Sequence, residues 1–263
     1  MAEVKIGIDK ELGAGTNKIV FSVKQATNNA TTLFNTNLPL DKLVIASMEP
    51  NRNLDIKKNI KPGIKLLKPL YIKQYFDDNK INFSSMEEQL ENNKYIKEVI
   101  NELKLHNQYA DNDMAPKLYK VTLKWFNHSE ENILIEDFLD NPYSYLNNLF
   151  KECFNNINIK GLLNIEGILE IYVLEERCGD GLTKNKSIEI NEKFNMLVNN
   201  LIDNISEIGQ TWFTDFKPEN SCPLYNEAGK LENIIGLDLD AKFTYNYTDI
   251  QTDFQSVTGL NIS

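Results

Sequence analysis

Val4, Ile6 and Ile8 alternate with polar residues, and after Leu12-Gly13-Ala14-Gly15 comes the run Ile19-Val20-Phe21-Ser22-Val23. A period of two predicts a half-buried strand, and glycines between two such runs predict a turn. Residues 4–24 are therefore expected to form two strands around a glycine turn. Residues 26–40, rich in Asn and Thr, read as a loop. Leu43-Val44-Ile45-Ala46-Ser47-Met48 reads as a short apolar strand. Residues 50–85 are charged and interrupted by Pro50, Pro62, Gly63 and Pro69, and are expected to be an insertion with some local structure.

The period then changes. Ile96, Val99, Ile100 and Leu103 fall at i, i+3, i+4 and i+7, one apolar stripe of a helix expected over residues 86–108. Ser84 or Ser85 could cap it, with Glu87 and Glu88 in its first turn. Ala115-Pro116 ends the unit. Strands are expected at 118–126, 133–138 and 169–174, with an inserted helix within 140–166. A long helix over 190–209 presents Phe194, Leu197, Val198, Leu201, Ile202, Ile205 and Ile208 on one face and meets Gly209 at its end. A hairpin turning at Asn226-Glu227-Ala228-Gly229 leads to a strand at 234–239. Strands, one helix, more strands and a second helix make an α+β order with two lobes.

Composition narrows the class. The chain has 263 residues, 41% of them hydrophobic, enough for one two-lobed domain or two small ones. A net charge of −10 argues against a nucleic-acid binder, which needs a basic surface. The lysines at 57, 58, 61, 65 and 68 read as a solvated face. Cys153, Cys178 and Cys222 lack metal-ligand spacing and are odd in number, so a reducing, cytoplasmic compartment without a disulfide framework is expected. No apolar run approaches the ~18 residues of a membrane span, and the N-terminus lacks a signal-peptide core.

The chemistry concentrates near the C-terminus. Asp215-Phe216-Lys217-Pro218-Glu219-Asn220 is followed, 18 residues after Asn220, by Asp238-Leu239-Asp240. An acid, a Lys two residues on, an Asn five residues on and a later Asp is the layout of a phosphoryl-transfer site. The first Asp can accept a hydroxyl proton, the Lys can neutralise the moving phosphoryl group, and the Asn and later Asp can hold Mg²⁺.

With the glycine turn, the striped helix and this acidic loop in order, the chain resembles the eukaryotic-type protein kinases over about residues 4–243. Gly13, Gly15 and Val20 match the family's G-x-G-x-x-G-x-V phosphate loop, and Lys18 stands where the third Gly would be. Ala46 lies on the strand expected to cover the nucleotide, and Glu102 is at the position of the family's ion-pairing helix glutamate. Val173-Leu174-Glu175-Glu176 is similar to the hinge, with Leu174 lining the adenine pocket and backbone groups near Glu175 and Arg177 binding the adenine edge. A second hinge candidate is Ile133-Leu134-Ile135-Glu136-Asp137-Phe138. The resemblance implies Asp215 as base, Lys217 as phosphate contact, and Asn220 and Asp238 as metal ligands. Asp240 stands where the family has Gly, and either binds Mg²⁺ through water or faces solvent.

The departures from the family pattern are specific. Met48 occupies the position of the strand lysine that contacts the α- and β-phosphates, and a thioether cannot neutralise phosphate. Lys18 either supplies that charge from the glycine-rich loop, as in the with-no-lysine kinases, or is a solvated strand-edge residue. Thr214 replaces the Arg that receives a phosphorylated activation loop, and only 23 residues follow Asp240. In these respects the chain resembles short bacterial-effector and viral kinase-like proteins, whose setting would be a host cytoplasm.

The resemblance implies an α+β, bilobal protein kinase-like fold. A β-rich N-lobe over 1–174 would carry insertions near 50–85 and 127–166, and a hinge with an abbreviated helical C-lobe would span 175–263. It implies an ATP- and Mg²⁺- (or Mn²⁺-) dependent Ser/Thr protein kinase with a protein substrate. The alternative is a pseudokinase that binds a protein partner as a scaffold, with or without nucleotide. A small-molecule kinase is a third reading, against which Lys217 argues.

Overall fold

A computed structural model describes residues 3–14, 18–27, 32–48, 64–67, 88, 90–125, 129–156, 167–178, 196, 200, 221–225, 228 and 230–236. The chain divides into two compact units, Met1–Ile100 with Leu118–Glu175, and Asn101–Lys117 with Glu176–Ser263.

The first unit is built on an eight-stranded, mostly antiparallel sheet. Strands β1 (Val4–Ala14) and β2 (Lys18–Gln25) form the expected hairpin. Its register shifts between Ile8 and Glu11 and again before Gly13. The Ser22 hydroxyl lies at the first shift, accepting from the Lys10 N–H at 3.2 Å and lying 3.3 Å from the Lys10 carbonyl. A side chain thus partners backbone groups where the ladder is interrupted. β3 (Phe34–Thr36) pairs with the outer side of β1, and β4 (Leu43–Met48) with β2. The remaining strands are β5 (Ile64–Leu67), β6 (Leu118–Trp125), β7 (Ser129–Leu134) and β8 (Gly167–Glu176). The sheet order is β3-β1-β2-β4-β8-β6-β7, with β5 paired to β8.

This sheet curls until its β3 end meets β6. Thr122 on β6 donates its hydroxyl to the Leu33 carbonyl at 2.8 Å and sits against the Asn132 side-chain amide. Lys120 Nζ donates to the Asn35 carbonyl at 2.8 Å. The enclosed face packs Ile6, Leu33, Phe34, Leu43, Ile45, Tyr172 and Leu174 into one cluster. Each such side chain contributes roughly 1.5–3 kcal/mol relative to exposure.

The opposite face is buried too. Side chains alternate along a strand, so Val44, Ala46 and Met48 of β4 and Ile171, Val173 and Glu175 of β8 point away from that cluster. All six are buried. The helices that follow β7 are α2 (Ile135–Asp140) and α3 (Pro142–Asn156), which pack on β6 and β7 through residues including Phe138, Leu146 and Phe150.

Before them in sequence runs α1 (Lys94–Ala110). It starts at Asn93, whose side-chain oxygen accepts from the N–H groups of Tyr95 and Ile96 at 3.0 and 3.1 Å, the work of an N-cap. The expected caps Ser84 and Ser85 lie outside the described residues. Ile96, Val99, Ile100 and Leu103 are buried along the predicted stripe.

In the second unit α1 ends in a Schellman motif. Asp113 takes a left-handed φ of 56°, its N–H bonds the Ala110 carbonyl at 3.1 Å, and the Met114 N–H bonds the Tyr109 carbonyl at 2.9 Å. The hairpin of β9 (Ser221–Tyr225) and β10 (Leu231–Gly236) is tied to that turn. Asn233 donates to the Asp113 carbonyl at 3.0 Å, and the Gly236 N–H to the Met114 carbonyl at 2.8 Å. His106 Nε2 lies 2.7 Å from the Pro116 carbonyl, and burial raises the pKa of Tyr109.

The expected bilobal, protein kinase-like fold with an abbreviated helical C-lobe is overturned. Strand makes up 47% and helix 36% of the described part, which is mostly an antiparallel, nearly closed, barrel-like sheet. The reasons are local. The Asn- and Thr-rich stretch read as a loop contributes β3, and the stretch read as an insertion contributes β5. The run at 133–138 is not one strand: β7 stops at Leu134, and α2 begins at Ile135 with Glu136 and Asp137 in its first turn, where carboxylates suit the helix dipole. The helix expected over 190–209 lies outside the described residues except for Met196 and Asn200, both helical.

Thr122→Val keeps the shape of the side chain and removes its hydroxyl, leaving the Leu33 carbonyl without that donor. A loss of about 1–3 kcal/mol of stability is expected in urea unfolding. A loss near zero would show that this contact does not hold the curl of the sheet.

Candidate functional site

The candidate site begins at the β1–β2 hairpin. Beyond Ile8, β1 is exposed to its end at Ala14, whereas β2 is buried where it begins, at Lys18 and Ile19. Gly13 pairs with Val20, and a Cβ added at Gly13 would meet nothing within 4 Å. Close packing within the chain therefore does not require glycine there. Gly15 lies outside the described residues.

The register of β2 on β4 sets the rest. Lys18 pairs with Met48 and Val20 with Ala46. Directly opposed residues share a face of the sheet, with Cβ atoms roughly 4.5–5.5 Å apart. Lys18 therefore projects from the place next to Met48, the residue that stands where the kinase pattern has its strand lysine. Its ammonium is 3.6 Å from Glu175 Oε1, and the two side chains are only 9% and 5% exposed. Two strand spacings, roughly 10 Å, separate β2 from β8. Lys18 and Glu175 thus reach toward each other over the end of β4. The solvated-edge alternative for Lys18 does not describe this side chain.

A buried charge needs a counter-charge, because desolvation disfavours the ion and low polarity strengthens the attraction. Glu175 supplies one. The sequence reading gave Glu175 a backbone role, and its side-chain role went unseen. Pairing across two intervening strand gaps leaves no local spacing signal between residues 18 and 175. The only sequence hint is an acid ending the apolar run Ile171-Tyr172-Val173-Leu174.

The other candidates are distributed as follows. Ala46 is fully buried on the Lys18 face, and Val20 is half-buried there. Leu174 belongs to the enclosed cluster on the opposite face, and Val173 is the residue of that pair that shares a face with Ala46. Glu102 is buried on α1, one turn from His106. Arg177 is exposed, and the Glu176 N–H bonds the Lys117 carbonyl at 2.8 Å. Asp215, Lys217, Asn220, Asp238 and Asp240 lie outside the described residues. The β9–β10 hairpin lies between those two motifs in sequence. Ser221 pairs with Gly236, so the chain enters and leaves the hairpin at one end. Asn220 precedes Ser221, and Asp238 is the second residue after Gly236.

Among the described residues no three His, Cys, Asp or Glu side chains gather as metal ligands, and no helix is long and apolar enough to cross a membrane. Comparison with known proteins finds no family model and no curated sequence that matches the chain.

If Lys18 and Glu175 stabilise each other, their substitutions will not be additive. Lys18→Met alone leaves a buried carboxylate without this cation and is expected to cost about 3–5 kcal/mol. Adding Glu175→Leu should restore part of that loss, giving a coupling of roughly 1–3 kcal/mol in urea unfolding of the four proteins. Simple additivity would remove the pair from the account.

Proposed function

We propose that the chain is an ATP-dependent phosphotransferase acting on Ser/Thr hydroxyls of a protein substrate. The observation that carries the proposal is the placement of Lys18: its ammonium is held under cover beside Met48 and paired with a carboxylate. That is where the kinase-like residue pattern lacks a lysine. A Lys ammonium acts as a point charge, so the strand that supplies it matters less than where its head lies. Val20 shares that face, is half-buried, and would flank a base with small apolar surface. Gly13, with open space where a Cβ would stand, would let the hairpin tip approach phosphate.

The chemical roles come from the residue pattern. Asp215 would accept the proton of the attacking hydroxyl as its oxygen bonds to the γ-phosphorus and the bond to the β-phosphate oxygen breaks, releasing ADP. Lys217 would offset charge on the transferred group. Asn220 and Asp238, with Asp240, carry the oxygen donors that Mg²⁺ takes, and Mg²⁺ would neutralise phosphate charge. The shared entry and exit of the β9–β10 hairpin supports assigning residues from both motifs to one site. Loss of one preorganised electrostatic donor costs ~3–4 kcal/mol of transition-state stabilisation, so Lys18 would have a large effect on rate.

One observation favours a second reading. Lys18 has a counter-charge within the chain itself, in Glu175. A pseudokinase would keep such a pair as structure and serve as a scaffold for a protein partner.

The two readings separate in one assay. Incubation with labelled ATP, Mg²⁺ and a generic Ser/Thr substrate should transfer label, and Asp215→Ala should lower the rate by about 10²–10⁴-fold. Equal transfer by wild type and variant would overturn the base assignment. No transfer by the wild type would favour the scaffold.

A further inference from the structure

We propose that Glu175 is a built-in competitor of phosphate for Lys18, and that it sets the affinity of the chain for polyphosphate anions. This rests on the reading of Lys18 as a phosphate ligand and gives that site its affinity-determining residue.

The pair has the properties of a counter-ion that can be displaced. Its N···O distance of 3.6 Å exceeds the ~2.7–2.9 Å of a charge-assisted hydrogen bond. The carboxylate balances the ammonium at this separation without the short contact that fixes geometry. Both side chains are over nine-tenths buried, so water screens their attraction only weakly. A triphosphate arriving at Lys18 meets, in Glu175, a carboxylate that repels it. Binding must therefore either separate Lys18 from Glu175 or tolerate the nearby like charge. Both routes subtract from affinity, and neutralising Glu175 removes both.

Position adds to this. Glu175 is the penultimate residue of β8, on the same face as Ala46 and Met48, so its carboxylate lies on the face of the sheet that carries Lys18. Glu175→Gln keeps the shape and removes the charge. A purely structural role predicts weaker ligand binding in this variant, because a buried ammonium loses this carboxylate's charge and the site loosens. The competitor role predicts the opposite.

The test is calorimetric titration of wild type, Glu175→Gln and the Lys18→Met/Glu175→Gln double variant with Mg²⁺–ATP and with inorganic tripolyphosphate. Glu175→Gln is expected to bind both about tenfold more tightly than wild type, as one nearby buried charge warrants. The double variant should lose that gain. Wild-type binding with equal or weaker binding by a folded Glu175→Gln would overturn the competitor role and leave the phosphate reading of Lys18 standing. No binding of either anion by wild type or Glu175→Gln would overturn both. Should Glu175→Gln fail to fold, Glu175→Asp draws the carboxylate back by one methylene. An increase of about threefold is then expected, and no increase would count against the competitor role.

Discussion

Strand β4 is buried from Leu43 to Met48 with no exposed position. A strand with both faces covered forces the rest of the unit to supply two layers of cover. One layer comes from the sheet itself, which curls so that Leu33 and Phe34 close over Ile6, Leu43 and Ile45. The other face carries Val44, Ala46 and Met48, and of the β2 residues paired to it Ser22 and Lys18 are buried and Val20 is half-buried. Lys18 is there because register places it opposite Met48. Its burial follows from β4, and its burial in turn requires a counter-charge. The Lys18–Glu175 pair is thus a consequence of a hydrophobic constraint, and the candidate chemistry inherits its location from the core.

Much of this was legible in the sequence where the pattern was long enough to repeat. The β1–β2 hairpin and the buried stripe of α1 follow from periods of two and 3.6, and β4 and the strand containing 169–174 from short apolar runs. Phe34 shows where periodicity stops helping. It is fully buried, yet its strand has three residues inside a polar stretch, too few for alternation to register. Ile133, Leu134 and Ile135 fail for another reason. An apolar run suits either a strand or the start of a helix, and the choice was made by pairing of β7 with β6 up to Leu134. These two misreadings matter together, since β3 and the helices after β7 are what convert an open sheet with a separate helical lobe into a curled, covered one.

The candidate site divides in the same way. Lys18 drew attention in the sequence because Met48 stands at the position of the kinase pattern's strand lysine. Glu175 was not visible in that role, because 157 positions of sequence separate it from Lys18 and only the order β2-β4-β8 brings them near. Leu174 and Val173 illustrate a subtler limit. Adjacent strand residues face opposite ways, so a one-residue choice decides which of them reaches the Ala46 face. The acidic motif from Asp215 to Asp240 speaks through its spacing in the sequence alone, since its residues lie outside the described ones.

The central claim is that the ammonium of Lys18 holds the phosphates of ATP. It is tested most directly by reaction of the protein with an acyl-phosphate derivative of ATP, which transfers its acyl group to a lysine beside the bound phosphates. Peptide mass mapping then identifies the acylated residue. The account predicts acylation of Lys18, suppressed by excess Mg²⁺–ATP. Acylation confined to other lysines, or labelling of Lys18 that ATP does not suppress, would contradict it.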